Sequence, residues 1–189
     1  MPVISITLLP GYGAATEARL VERVAIAVRS VIAAPAAGTT VFVRHASTYL
    51  RDGRVLPAGR PERADASALV RRFLESMQER DLPAARQLLA ADFQMQFPGS
   101  GPMRELSELV EFARGRYRNV AKDYERFDEC WTSEGAVVYC HGHLRGTWLD
   151  GSSFAGIRFI DRFEVVEGLI TRQDVWNDLA LHPQGVLAR

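Results

Sequence analysis

Three groups of residues in this chain have types and spacings that can do chemistry. The first is Pro2. If Met1 is trimmed, the ring nitrogen of Pro2 becomes a secondary amine that can accept and donate a proton. An α-amino group titrates near roughly 8 in water, and an apolar wall disfavours its charged form and draws it toward working pH. That is the range a general base and acid needs. The strand that Pro2 opens, with Val3, Ile4, Ile6, Leu8 and Leu9, supplies such a wall. Met-Pro starts are also ordinary, and with Met1 kept the nitrogen is an inert amide. The second is Asp161, which shares strand parity with Ile157, Phe159, Phe163 and Val165, while Arg158, Arg162 and Glu164 take the opposite face. A carboxyl on such a stripe is pushed toward its neutral form, or else it bonds a buried backbone group or a nearby arginine; both readings stand. The third is the pair His141 and His143, which share a strand face with Tyr139 and Arg145, opposite Val138, Cys140, Gly142 and Leu144. Two histidines at i and i+2 can ligate a metal or act as acid and base if they line a pocket. Otherwise that face is the solvated or dimer side of a sheet.

Composition narrows the classes of function. The chain has 189 residues, 47% hydrophobic and 24% charged, with a formal net charge of zero, as in an ordinary soluble globular protein. Basic residues are scattered, so neither nucleic acid nor an anionic membrane is expected as a partner. No run approaches the eighteen or so apolar residues of a membrane helix, and no basic start followed by an apolar core marks a signal peptide. Cys130 and Cys140 fit free thiols in a reducing cytoplasm. Metal-ligand spacings and glycine-rich phosphate loops are absent from the sequence, so no metal and no cofactor is expected.

The elements that must position these residues follow from periodicity. A strand over 2–9 leads through Pro10-Gly11-Tyr12-Gly13 to a helix over 15–33, whose apolar residues Leu20, Val24, Val28, Val31 and Ile32 repeat at helical spacing. Ala34-Pro35 ends it, a second strand spans 39–46, and Asp52-Gly53 marks a hairpin. Residues 57–66, with two prolines and no apolar period, read as a linker. Helices are then predicted over 67–80, from Asp81 with Pro83 in its first turn, and over 103–117, around a short strand at 92–97. Strands over 121–132, 135–148, 153–166 and 169–178 complete an α+β class. The first 56 residues are too few to bury a core alone, so this unit is expected to stack on another copy.

Two resemblances refine this. Pro2, the apolar first strand, Gly11 and the Ala34-Pro35 step make residues 2–56 resemble the 4-oxalocrotonate tautomerase family, a small β-α-β unit. The resemblance implies that Pro2 shuttles a proton on a small enol or carbonyl compound. Family arginine positions fall on Tyr12 and Thr40, and the aromatic that shields the proline falls near Tyr49. Arg44 shares a strand face with Thr40 about 13 Å further on, and Arg51 flanks the hairpin; either can grip a carboxylate through its fork. Residues 67–182 resemble the NTF2-like superfamily in its SnoaL-like or ketosteroid-isomerase-like branch. This likeness rests on Phe73-Leu74, Arg80-Asp81, Ala91-Asp92-Phe93, Asp161, Gly168-Leu169-Ile170, Trp176 and Asp178. It implies a cone with a curved antiparallel sheet, a pocket holding Asp161, and a dimer through the sheet. The position of an isomerase base falls near Phe97, and Trp176 is expected to line the cone or pack its rim. The expected organisation is a tautomerase-like unit (1–56), a linker (57–66), a SnoaL-like domain (67–182) and a tail (183–189), in a cytoplasmic homodimer or higher homo-oligomer. Pro2 tautomerase chemistry is the leading expectation. The alternatives are a cone that acts on or binds a hydrophobic small molecule, and a non-catalytic ligand-binding dimer.

Overall fold

A computed structural model describes residues 1–46, 49–51, 53–55 and 63–182. Asp52 of the hairpin signal, residues 57–62 of the expected linker and the tail (183–189) lie outside the described residues. The chain divides into two compact units, residues 1–62 and 63–189.

In the first unit, β1 (Val3–Leu8) and β2 (Thr40–His45) pair in parallel, joined by α1 (Ala14–Val31) and a 3-10 turn (Ala36–Gly38). The register Ile4↔Val41 and Ile6↔Val43 gives the pair one half-buried apolar face. His45 Nε2 meets Glu17 Oε1 at 2.7 Å, which ties β2 to α1. Helix α1 buries no residue completely, and Val3, Ile26, Val31 and Ile32 stay at least half exposed. A parallel pair with a crossover helix is shared by many folds, so it does not single out the tautomerase family. A two-residue hairpin, β3 (Leu50–Arg51) with β4 (Arg54–Val55), follows.

The second unit positions the site. Its first helix, α2 (Ala66–Gln78), starts at Asp65, whose side chain accepts from Ala68 N at 3.2 Å. Asp81 caps α3 (Leu82–Arg86) in the same way at 3.0 Å. The strand β5 (Leu89–Gln96) starts three residues before its expected position, because it runs parallel to β9 (Leu169–Asn177) at the sheet edge. The third expected helix is shorter than its apolar period suggested. Met103 is tied to Met95 in an isolated bridge and Tyr117 already opens a strand, which leaves only α4 (Leu106–Arg114). Strands β6 (Tyr117–Trp131), β7 (Gly135–Trp148) and β8 (Ser153–Val166) then lead to β9, giving the sheet order β5-β9-β8-β7-β6.

One face of this sheet carries the core. Val138, Cys140, Leu144, Ile157, Phe159, Phe163, Val165 and Ile170 are buried there against α2. Phe73 stacks between Phe163 at 5.9 Å and Phe93 at 6.5 Å. The sheet bends where its register breaks, and Gly142 sits beside one such break, between Tyr124 and Arg126. A methyl group there would lie 2.0 Å from the Asp123 carbonyl oxygen. Cys140 pairs with Phe127, and Cys130 with Val137, so the two thiols stay apart and free.

Replacing Gly142 by Ala is expected to cost about 1–3 kcal/mol, because the strands must separate to admit the methyl group. Gly156→Ala, with open space around it but a φ of +73°, is expected to cost about 1 kcal/mol from backbone conformation alone. Urea unfolding of both variants checks the order, and equal losses would contradict the packing described.

Candidate functional site

Between α2, α4 and the concave face of the sheet lies a cavity of about 160 Å³. Its wall is apolar over most of its extent, with Phe73, Met77, Phe97, Leu109 and Val120 prominent. Polar groups reach it at two ends. Lys122, Tyr124 and Gln173 reach it from the sheet, and Gln78 and Arg80 from the end of α2.

The sheet end is built on an ion pair. Lys122 Nζ donates to Asp161 Oδ2, with the lysine side chain 19% exposed and the aspartate fully buried. The ammonium also sits 4.7 Å from the centre of the Phe159 ring, a cation–π contact. Gln173, 3% exposed, donates from Nε2 to the same Asp161 oxygen at 3.4 Å. Among the described residues no group donates to Asp161 Oδ1 or Gln173 Oε1. Tyr124 packs edge-on against Phe159 at 5.7 Å. Burial, and next the Asp161 charge, push its hydroxyl well above the usual phenol range, so it remains a donor. Burial likewise raises Tyr117, although Arg116 and Arg80 pull against it. Cys140, opposite Asp161 in register, is pushed up to about 12 by burial first and then by the Asp161 charge.

The expected site residues scatter on this frame. Asp161 lies on the concave side, as its stripe implied, and it pairs with a lysine, a partner that neither the neutral-acid reading nor the backbone-or-arginine reading named. Phe97 lines the cavity. Trp176 does not: strand alternation from buried Val175 turns it to the outer face, where it is 53% exposed beside Ile160. His141 and His143 are also on that outer face, which removes them from the pocket. Both are close to Glu125, with His143 Nδ1 at 2.8 Å and His141 Nδ1 at 3.5 Å. No group of three metal-ligating side chains forms among the described residues.

In the first unit, Pro2 is half-buried and its carbonyl accepts from Thr40 N at 3.0 Å. The exposed Arg44 pairs in register with Thr7, roughly 16 Å along the strand from Pro2, and stacks over Phe42 at 5.1 Å. Tyr12 follows that same far end of β1. Within one chain, then, Arg44 and Tyr12 are not brought to Pro2. Tyr49 is half-buried next to β3, and the Arg51 side chain lies outside the described residues.

Sequence reasoning missed Lys122, Gln173 and Arg80 as cavity residues. For Lys122 a signal was present: it is the only lysine in the chain, the other 22 basic residues being arginine.

The profile of a family described as the SnoaL-like domain matches residues 70–173. No curated protein matches the chain in sequence. Among solved structures, the chain is similar to an NTF2-like protein of unknown function from Burkholderia pseudomallei, at 20% identity and TM-score 0.53, over 65% of this chain and 97% of that one. A putative polyketide cyclase from Xanthomonas campestris pv. campestris is similar at 17% identity and TM-score 0.50, over 62% and 93%. TerC co-crystallised with polyporic acid is similar at 13% identity and TM-score 0.51, over 61% and 94%. At these identities the likeness is one of fold.

Lys122→Met strands a buried carboxylate and is expected to cost about 3–5 kcal/mol. Lys122→Met with Asp161→Leu removes both charges and should recover most of that loss. Chemical denaturation of the single and double variants checks this, and additive losses would contradict a coupled pair. At pH 8 a thiol reagent should modify the exposed Cys130 in the folded chain, and Cys140 only on unfolding. Because the folded chain holds Cys140 as a thiol up to about 12 from an ordinary 9.0, its stabilising contribution is complete below pH 9. It is lost as pH rises through that window. Wild type should therefore lose stability relative to Cys140→Ala between pH 9 and 11, and parallel pH profiles would contradict it.

Proposed function

The chain belongs to the SnoaL-like domain family, and on that premise we propose that its cavity holds a small carbonyl or enol compound and eases its keto–enol interconversion, an isomerase-type role. Lys122 meets the reacting oxygen. The observation that carries this reading is the Lys122–Asp161 ion pair, a cation held on an apolar cavity wall by a counter-charge that no solvent reaches. A preoriented donor in such surroundings stabilises developing enolate charge far more than it would in water. Tyr124, kept protonated, is a second donor. Asp161 lies behind Lys122 and acts as its positioning residue. No carboxylate or imidazole is among the described residues lining the cavity, so Lys122 serves as donor to the oxygen, while the proton leaving one atom and the proton reaching the other are exchanged with water. The likeness to a putative polyketide cyclase and to TerC with polyporic acid fits a small-molecule cavity.

A second reading keeps the chemistry in the first unit. It is favoured by the half-buried Pro2 at the start of the parallel strand pair, and it requires removal of Met1. In either case we place the protein in the cytoplasm as a homo-oligomer. The exposed apolar residues of α1, and Ile160 and Trp176 on the sheet's outer face, are the surfaces a second copy would cover.

Ketonisation of phenylenolpyruvate, followed by ultraviolet absorbance, separates the readings. Lys122→Met should slow it by about a hundredfold or more, while Pro2→Ala leaves it unchanged. The opposite pattern would move the chemistry to Pro2. Equal rates in both variants would overturn both catalytic readings and leave a binding module.

A further inference from the structure

Resting on the cavity reading above, we propose that the ligand is a compact anionic molecule of about one ring. Its carboxylate would be held by Arg80 at the α2 end, and a hydroxyl or enol donor at the other end would meet Gln173. Size comes first. A cavity of about 160 Å³ matches one that accepts a single benzene ring and falls below the roughly 300 Å³ where drug-sized sites begin. The enclosed part therefore holds about one ring, and a larger ligand would extend through the open mouth.

The polar groups fix the chemistry of the two ends. Gln173 must present Nε2 to the Asp161 carboxylate, since two acceptors repel, so its Oε1 is left as an acceptor in an apolar chamber. This Oε1 receives no hydrogen bond from the described residues, and Gln173 is among the residues lining the cavity. Buried acceptors of this kind cost free energy until a donor satisfies them, and a ligand hydroxyl is such a donor. At the other end Arg80 lines the cavity, no carboxylate lines it, and no described carboxylate forms an ion pair with this arginine. With the Lys122 charge answered by Asp161, Arg80, exposed at the cavity mouth, is the remaining cation among the lining residues.

The backbone at Arg80 supports a role beyond ending the helix. Its N–H donates to Met77 O at 3.3 Å and Asp81 N donates to Ser76 O at 2.9 Å, the paired closure of a helix C-terminus. The closing residue has a φ of +65°, where glycine is the favoured residue and an arginine is strained. A strained residue at a cavity mouth is a candidate for function. The left-handed turn sets where this side chain leaves the backbone, beside the cavity.

Isothermal titration with 4-hydroxybenzoate, its methyl ester, benzoate and phenol tests this. Wild type should prefer the acid over the ester by about tenfold or more, as a charge-assisted hydrogen bond implies. Arg80→Gly should bring that ratio close to one while the variant unfolds at a temperature no lower than wild type, because glycine suits this backbone. Gln173→Leu should remove the preference for 4-hydroxybenzoate over benzoate. An ester that binds as well as the acid, or an unchanged ratio in Arg80→Gly, overturns the ligand class and leaves the cavity reading intact. If none of the four binds and Lys122→Met leaves ketonisation unchanged, both fall.

Discussion

A charged lysine and a charged aspartate, one buried and one nearly so, are the constraint around which the second unit is arranged. Lys122 comes from β6 and Asp161 from β8, so the pair exists only if the sheet is curved enough for a side chain to reach across the strand between them. The curvature depends in turn on breaks in register, and at one of them Gly142 is needed because any Cβ would strike a carbonyl oxygen. Fold and site are in this sense one feature: the bend that closes the cavity also brings the charges together.

Such a pair is a poor way to gain stability, since desolvating two ions offsets most of their attraction. Apolar residues of the same volume would serve a core as well. Here the ammonium faces a cavity and its counter-charge faces the core, an arrangement suited to holding an anionic oxygen. The surrounding groups agree with that use. Tyr124 is kept neutral, Gln173 is oriented by the same carboxylate, and no second acid competes for the lysine from the cavity wall.

Much of this fold was legible in the sequence because long alternating strands and capped helices carry their own periodicity. The parity of Asp161 with Ile157, Phe159, Phe163 and Val165 correctly put a carboxyl on the concave face. What alternation could not give was depth or partner. Trp176 and the histidine pair looked functional by residue type, yet strand parity placed them on the outer face once the concave face was fixed by Val175, Cys140 and Leu144. Lys122 was missed because the pairing is 39 residues long in sequence, and no local pattern reports a contact made by a bend. Arg80 was visible only as a helix stop. In the first unit, the strand-helix-strand order was read correctly, but it leaves Pro2 far from Arg44 within a single chain.

Because the chain has a single lysine, selective ¹⁵Nζ labelling gives a nuclear magnetic resonance spectrum with one lysine side-chain signal. If the buried pair exists as described, that signal is an ammonium whose protons exchange slowly with water, and the protection collapses in Asp161→Asn. A lysine that exchanges at the solvent rate in the wild type, or is indifferent to Asp161→Asn, would contradict the account at its root.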